Sequence, residues 1–195
     1  MEQENPPETV EHTSETILEA TKLHTCMKNG DLETLIVLVN NGVDVNTKDD
    51  AGCTPLILAA KEGYINIANW LLDNKADLNH KARDGRTALI EAAETGSLKI
   101  CKSLIDKNCD VNATDVCGVS ALGMAAWKGH KEICQLIIAS KANVNLPNIN
   151  GATPLFAALQ QKDGEIVNLL IKAGADILHI DNDQKTALHY AALHK

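Results

Sequence analysis

Aromatic side chains are scarce in this sequence: two Trp, two Tyr and one Phe among 195 residues, 3% of the chain. A core must therefore be built from Leu, Ile, Val and Ala, and with 45% apolar residues they are plentiful. Such side chains suit thin, closely packed helices better than a sandwich or barrel. Single-stranded nucleic acid needs successive rings to stack on, which five aromatic residues do not supply. Basic charge is short too, with 18 Lys and Arg against 26 Asp and Glu. No basic stripe of the kind that tracks a phosphate backbone can be assembled, which excludes nucleic acid as the expected partner. No stretch approaches the roughly 18 consecutive apolar residues that a membrane helix needs, so no membrane span is expected.

Chemistry-bearing motifs are also missing. There is no Cys-x-x-Cys pair, no His-Glu-x-x-His, no phosphate loop and no dinucleotide fingerprint. Gly118-Val119-Ser120-Ala121-Leu122-Gly123 has one residue too many for a nucleophile elbow. Neither an enzyme, a metal site nor a cofactor is expected from residues 1–195.

The net charge of −8 is unevenly placed. Residues 1–19 hold six Glu and no Lys or Arg, so the remainder is nearly neutral. Residues 1–15, with Pro6 and Pro7, lack both a basic and an apolar region of a secretory signal and read as an acidic, disordered N-terminal tail. Six Cys without such a signal point to reduced thiols and a cytoplasmic or nuclear setting. Cys26, Cys101, Cys109 and Cys134 take slots of small apolar packers, whereas Cys53 and Cys117 lie in turns where exposure is expected.

What the chain does have is a period. Gly52, Gly85, Gly118 and Gly151 recur every 33 residues. Two places on stand Thr54, Thr87, Ser120 and Thr153, and two further Leu56, Leu89, Leu122 and Leu155. Asp77, Asp110, Asn143 and Asp176 return in the same phase. The units read as 16–48, 49–81, 82–114, 115–147 and 148–180, with a partial unit 181–195; together, residues 16–195 form one domain. Since the chain stops after an inner helix, it is expected either to be a fragment of a longer protein or to fray there.

Each unit parses as two short helices. Thr54-Pro55 supplies a hydroxyl to cap free N–H groups and a proline at the first helical position. About eight residues later Gly63, Gly96 and Gly129 stop the helix. A second helix, with Ile67, Ala68, Leu71 and Leu72 at helical spacing, is expected to end near Lys75-Ala76-Asp77. A stretch rich in Asp, Asn and Gly then favours a turn. Helices this short are unstable alone, so the units must stack.

Thr54-Pro55-Leu56-Ile57-Leu58-Ala59-Ala60, Thr153-Pro154-Leu155-Phe156-Ala157-Ala158 and the unit ends Asp44-Val45-Asn46, Asp77-Leu78-Asn79 and Asp110-Val111-Asn112 resemble the ankyrin repeat family over roughly residues 18–195. The resemblance implies an all-α solenoid of stacked helix–turn–helix units with β-turn or hairpin fingers. Departures are local. The family's His appears only at His189, where Ile57, Ile90, Gly123 and Phe156 stand in other units. Lys162 replaces a helix-ending glycine.

Ankyrin proteins, by that resemblance, grip partners on a concave face of finger tips and inner helices. The phase assigns to it a charged zone, Arg83, Arg86 and Glu94, and an apolar zone, Val116, Val119, Trp127 and Ile149, with Gln160 in the next unit. Trp127, Val116, Val119 and Ile149 are expected to anchor a segment of a protein partner, with Arg83 and Arg86 selecting an acidic group. Trp127 also has a blander reading, lying flat to shield its neighbours. Glu91, in the slot of Leu58 and Met124, is either a buried carboxylate or one that reaches solvent at the rim. His130 is expected to brace a helix–helix turn, and Trp70 to pack. Leu eight places before Asn46, Asn79 and Asn112 also resembles the substrate pattern of an asparaginyl hydroxylase. The expected function is a monomeric protein-binding scaffold. The alternatives are the substrate- or regulator-binding part of a larger enzyme continuing beyond residue 195, or a small-molecule sensor.

Overall fold

The computed structural model describes residues 14–192, with side chains described from residue 22. Most of the tail assigned to residues 1–15 lies outside these, but Ser14 and Glu15 already belong to a helix. Eleven helices and no named strand occur among the described residues. They pair as α1 (Ser14–Asn29) with α2 (Leu32–Asn40), α3 (Pro55–Glu62) with α4 (Ile65–Asp73), and α5 (Ala88–Thr95) with α6 (Leu98–Asp106). Next come α7 (Ala121–Lys128) with α8 (Lys131–Ala139) and α9 (Pro154–Gln160) with α10 (Gly164–Lys172); α11 (Ala187–Ala192) follows. Inner helices α1, α3, α5, α7, α9 and α11 stack on one another, each outer helix packs on its own partner, and α4, α6, α8 and α10 also pack in succession. One continuous core runs along the stack. The paired alanines Ala59-Ala60, Ala92-Ala93 and Ala125-Ala126 are fully buried in it, which lets neighbouring inner helices approach closely.

Local chemistry departs from expectation in two respects. The outer helix α4 stops at Asp73, earlier than the sequence pattern indicated, and Lys75 takes φ 64° just beyond it. The hydroxyls of Thr87 and Ser120 do cap their helices, accepting from Ile90 N at 3.4 Å and Gly123 N at 3.2 Å. Those of Thr54 and Thr153 do not, and both oxygens are buried without a partner. None of these four units carries the family's histidine; where it is present, His189 Nδ1 lies 2.9 Å from Thr186 Oγ1.

Two ladders tie the units together. Asn46 Oδ1 accepts from Asp77 N at 2.8 Å, and Asn79, Asn112 and Asn145 repeat this toward Asp110, Asn143 and Asp176. At the fingers, Arg83 N donates to Ala51 O, Val116 N to Asp84 O, Ile149 N to Cys117 O and Asn182 N to Asn150 O, all at 2.9–3.0 Å. Tight succession is why the finger residue Gly85 is glycine: it sits at φ +79°, and a Cβ there would meet Val116 N at 2.7 Å. The fingers themselves are closed by bonds such as Asp115 N to Val119 O, with one isolated bridge at Thr114 and Ser120.

Candidate functional site

The charged zone forms on α5 and the finger before it, but most of it is spent internally. The Arg86 guanidinium pairs with Glu94 and lies 3.2 Å from Glu91 through Nε. Lys128 Nζ closes on Glu94 from the next unit at 2.9 Å. Glu91 is a buried carboxylate, only 6% exposed, and does not reach solvent at the rim. Desolvation raises its pKa from the ordinary carboxylate value, and Arg86 only partly offsets that. Hydrogen bonds from Lys128 and Arg86 hold Glu94 below the ordinary value. Arg86, expected with Arg83 to select an acidic partner group, is thus already paired within the array. Arg83 remains exposed.

The thiols divide cleanly. Burial pushes Cys101 and Cys134 up to about 12, and Cys26, Cys53 and Cys109 up to about 11. Cys53 is half-buried rather than open, and Cys117 is the exposed thiol. No cluster of potential metal ligands occurs among the described residues, and no described helix is long and apolar enough to cross a membrane.

The scattered histidines act as braces. His80 Nε2 lies 2.9 Å from Gly52 O and His179 Nε2 2.8 Å from Gly151 O, each one unit back. His130 Nε2 lies 3.2 Å from Glu94 O, and its ring would stand 2.8 Å from a Cβ on Gly96. Trp70 is half-buried against the core, as its outer-helix slot indicated.

The apolar zone opens onto a groove of ≈ 570 Å³ on the inner-helix and finger side of units 115–147, 148–180 and 181–192. Of the sequence-predicted residues it brings together Val119, Trp127 and Gln160. Trp127 is 45% exposed at its edge. Val116 and Ile149 stand outside it, exposed on neighbouring finger tips at 64% and 62%.

Gly123 accounts for the groove. Its slot holds Ile57, Ile90 and Phe156 in other units, all buried. Phe156 fills the gap to the next unit, its ring 5.0 Å from Tyr190 and 5.9 Å from His179. One unit earlier the same three slots hold Gly123, Ala157 and Leu146, and all three line the groove. A side chain is missing, not crowded out: a Cβ on Gly123 would meet nothing nearer than 3.6 Å.

Sequence reasoning overlooked the polar end. Asp181, Asn182, Asp183 and Tyr190 line it. Tyr190 Oη donates to Asp181 Oδ2 at 2.6 Å, and this bond lifts the phenol to about 12. The other carboxylate oxygen of Asp181 accepts from Asp183 N and Lys185 N. The signal was present in the phase, since Asp181 repeats Asp49 and Asp115, which close their own fingers in the same way.

Three overlapping copies of the family model for ankyrin repeats match residues 23–115, 75–148 and 122–195. The chain belongs to the ankyrin repeat family. Ankyrin repeats as a class generally mediate protein–protein interaction. Among curated proteins, protein phosphatase 1 regulatory subunit 27 of Homo sapiens is 42% identical over 48 residues, 25% of this chain and 31% of that protein. Its Mus musculus counterpart is 40% identical over the same length. Acyl-CoA-binding domain-containing protein 1 of Arabidopsis thaliana is 34% identical over 58 residues, 30% of this chain and 17% of that protein. The ankyrin chain thus matches less than a third of any of these relatives.

Proposed function

We propose that this ankyrin array binds a protein partner on the concave side of its C-terminal half, with Trp127, Val116, Val119 and Ile149 as anchors and Gln160 beside them. The observation that carries the reading is the groove beside Trp127: a large ring left 45% exposed over an unfilled gap in an otherwise close-packed stack. Exposed aromatic anchors at the edge of a pocket are where binding free energy concentrates. Arg83 is free to meet an acidic group at the margin, while Arg86 and Glu94 hold the neighbouring surface rigid. The setting proposed is cytoplasmic or nuclear, with the array acting as a monomer.

Affinity capture with the intact chain beside Trp127→Ala, read by mass spectrometry, tests it. The variant is expected to lose the captured partner, by roughly 2 kcal/mol or more, with its helical circular dichroism unchanged. Equal capture by both proteins removes this face from consideration.

A second reading is favoured by the relative named as a phosphatase regulatory subunit: the array serves as the substrate- or regulator-binding part of an enzyme assembly. Hydroxylation of Asn46, Asn79 and Asn112 is a separate proposal. Peptide masses increased by one oxygen at those residues would establish it.

A further inference from the structure

We infer that the groove opened by Gly123 takes a partner segment that presents an apolar side chain next to a Lys or Arg. The inference rests on the protein-binding reading above and names what the partner must carry.

The two ends of the groove differ in chemistry. Toward Gly123 the walls are Met124, Trp127, Val119, Leu146 and Ala157. An apolar wall of this kind gains from an aliphatic side chain that replaces the one the stack lacks. At the other end stand Asp181 and Asp183, flanked by the amides of Asn148, Asn150 and Asn182. The whole lining contains two carboxylates and no Lys, Arg or His. An anionic group entering it meets like charge, and a cationic one meets opposite charge. Asp181 has both oxygens occupied by Tyr190 and by backbone N–H groups. Asp183 is the more open carboxylate: its side chain is 71% exposed, and it pairs at 3.1 Å with Lys185 Nζ, which also stands 6.0 Å from the Tyr190 ring centroid, so an incoming cation takes the place of this lysine. The volume, ≈ 570 Å³, lies within the range of sites that enclose an organic ligand.

The Gly123→Ile variant supplies a control that does not depend on damaging the protein. It places in this slot the residue already buried at Ile57 and Ile90, so the fold is expected to melt at or above the wild-type temperature. A random peptide library displayed on phage is panned against the wild-type chain, Gly123→Ile and Asp183→Asn. The expected result is a set of peptides pairing an aliphatic residue with a nearby Lys or Arg, retained by wild type and lost on Gly123→Ile. Affinity for Asp183→Asn should drop by about tenfold, as for removal of one charge from a close pair. Peptides lost on Gly123→Ile but without basic residues, or with acidic ones, overturn the inference and leave the protein-binding reading standing. Peptides that bind Gly123→Ile as well as wild type place recognition elsewhere and overturn it too. A library with no Gly123-dependent peptide has the same consequence, as does a groove that accepts only free small molecules. Failure of the Trp127→Ala capture is a separate result and counts against the wider reading.

Discussion

Single side chains decide where this stack is satisfied and where it is not. Thr54 and Thr87 occupy the same slot, but Thr87 caps Ile90 N and Thr54 bonds to nothing. Thr87→Val is expected to lower unfolding free energy by about 1 kcal/mol, whereas Thr54→Val should be neutral or stabilising, because it removes an unpaired buried oxygen. Parallel urea titrations check the contrast, and equal losses would refute it. Glu91 and Glu94 make an opposed pair in pH. The folded pKa of Glu91 is raised, so its contribution to stability is full below the unfolded value near 4.5 and is lost as pH rises through the folded value. Glu94 is lowered, and its contribution is present above that value and is lost as pH falls. Glu91→Gln is therefore expected to raise the melting temperature at pH 7, with the gain vanishing toward pH 4. A gain that persists in acid would contradict the assignment. The sequence placed Glu91 on the repeat but left its burial open, because phase fixes a slot and not the rotamer or the counter-ion. The Arg86 pairing arises from charges eight residues apart on a finger and a helix, and no periodicity encodes it. Thiol labelling at neutral pH should be fast at Cys117 and slow at the other five, whose thiols are buried or half-buried and shifted upward.

Helices and turns were far more legible than the site they hold. Recurrent Thr, Leu, paired Ala and Gly marked the inner helices because each is dictated by local geometry: a start, a buried row, a close approach, a stop. The asparagine ladder was readable as a recurrent residue, but its partner was not, since Asn79 Oδ1 reaches across to Asp110 N in the following unit. Asn79→Ala should cost on the order of 1–2 kcal/mol by leaving that N–H without its acceptor, and amide exchange at Asp110 should quicken in step. The groove was hidden for a different reason. Gly123 was visible as a departure from the family pattern, yet its consequence depends on Leu146 and Ala157 standing in the slots that His179 and Tyr190 hold around Phe156, a comparison between slots rather than within one. Because Gly123 lies in the interior of α7 with free space around it, Gly123→Ala is expected to stabilise the protein by up to about 1 kcal/mol. A loss instead would show that the space is occupied.

As a whole molecule the array is a row in which each unit touches only its neighbours, so stability is the sum of units and the seams between them. Opening is expected to be easiest at α11, where Leu188 is 77% exposed, and hardest around α5 and α7, whose faces are covered on both sides. Hydrogen exchange along the inner helices should follow that order. The bonds that join each finger tip to the next have a consequence for anything that lies across them. Arg83, Val116, Ile149 and Asn182 each donate an N–H to the preceding finger, at Ala51, Asp84, Cys117 and Asn150, which sets the tips in a row of fixed pitch. Such a comb measures its guest: a segment whose side chains match the pitch seats several teeth at once, and one that is out of step by a single residue can seat only one.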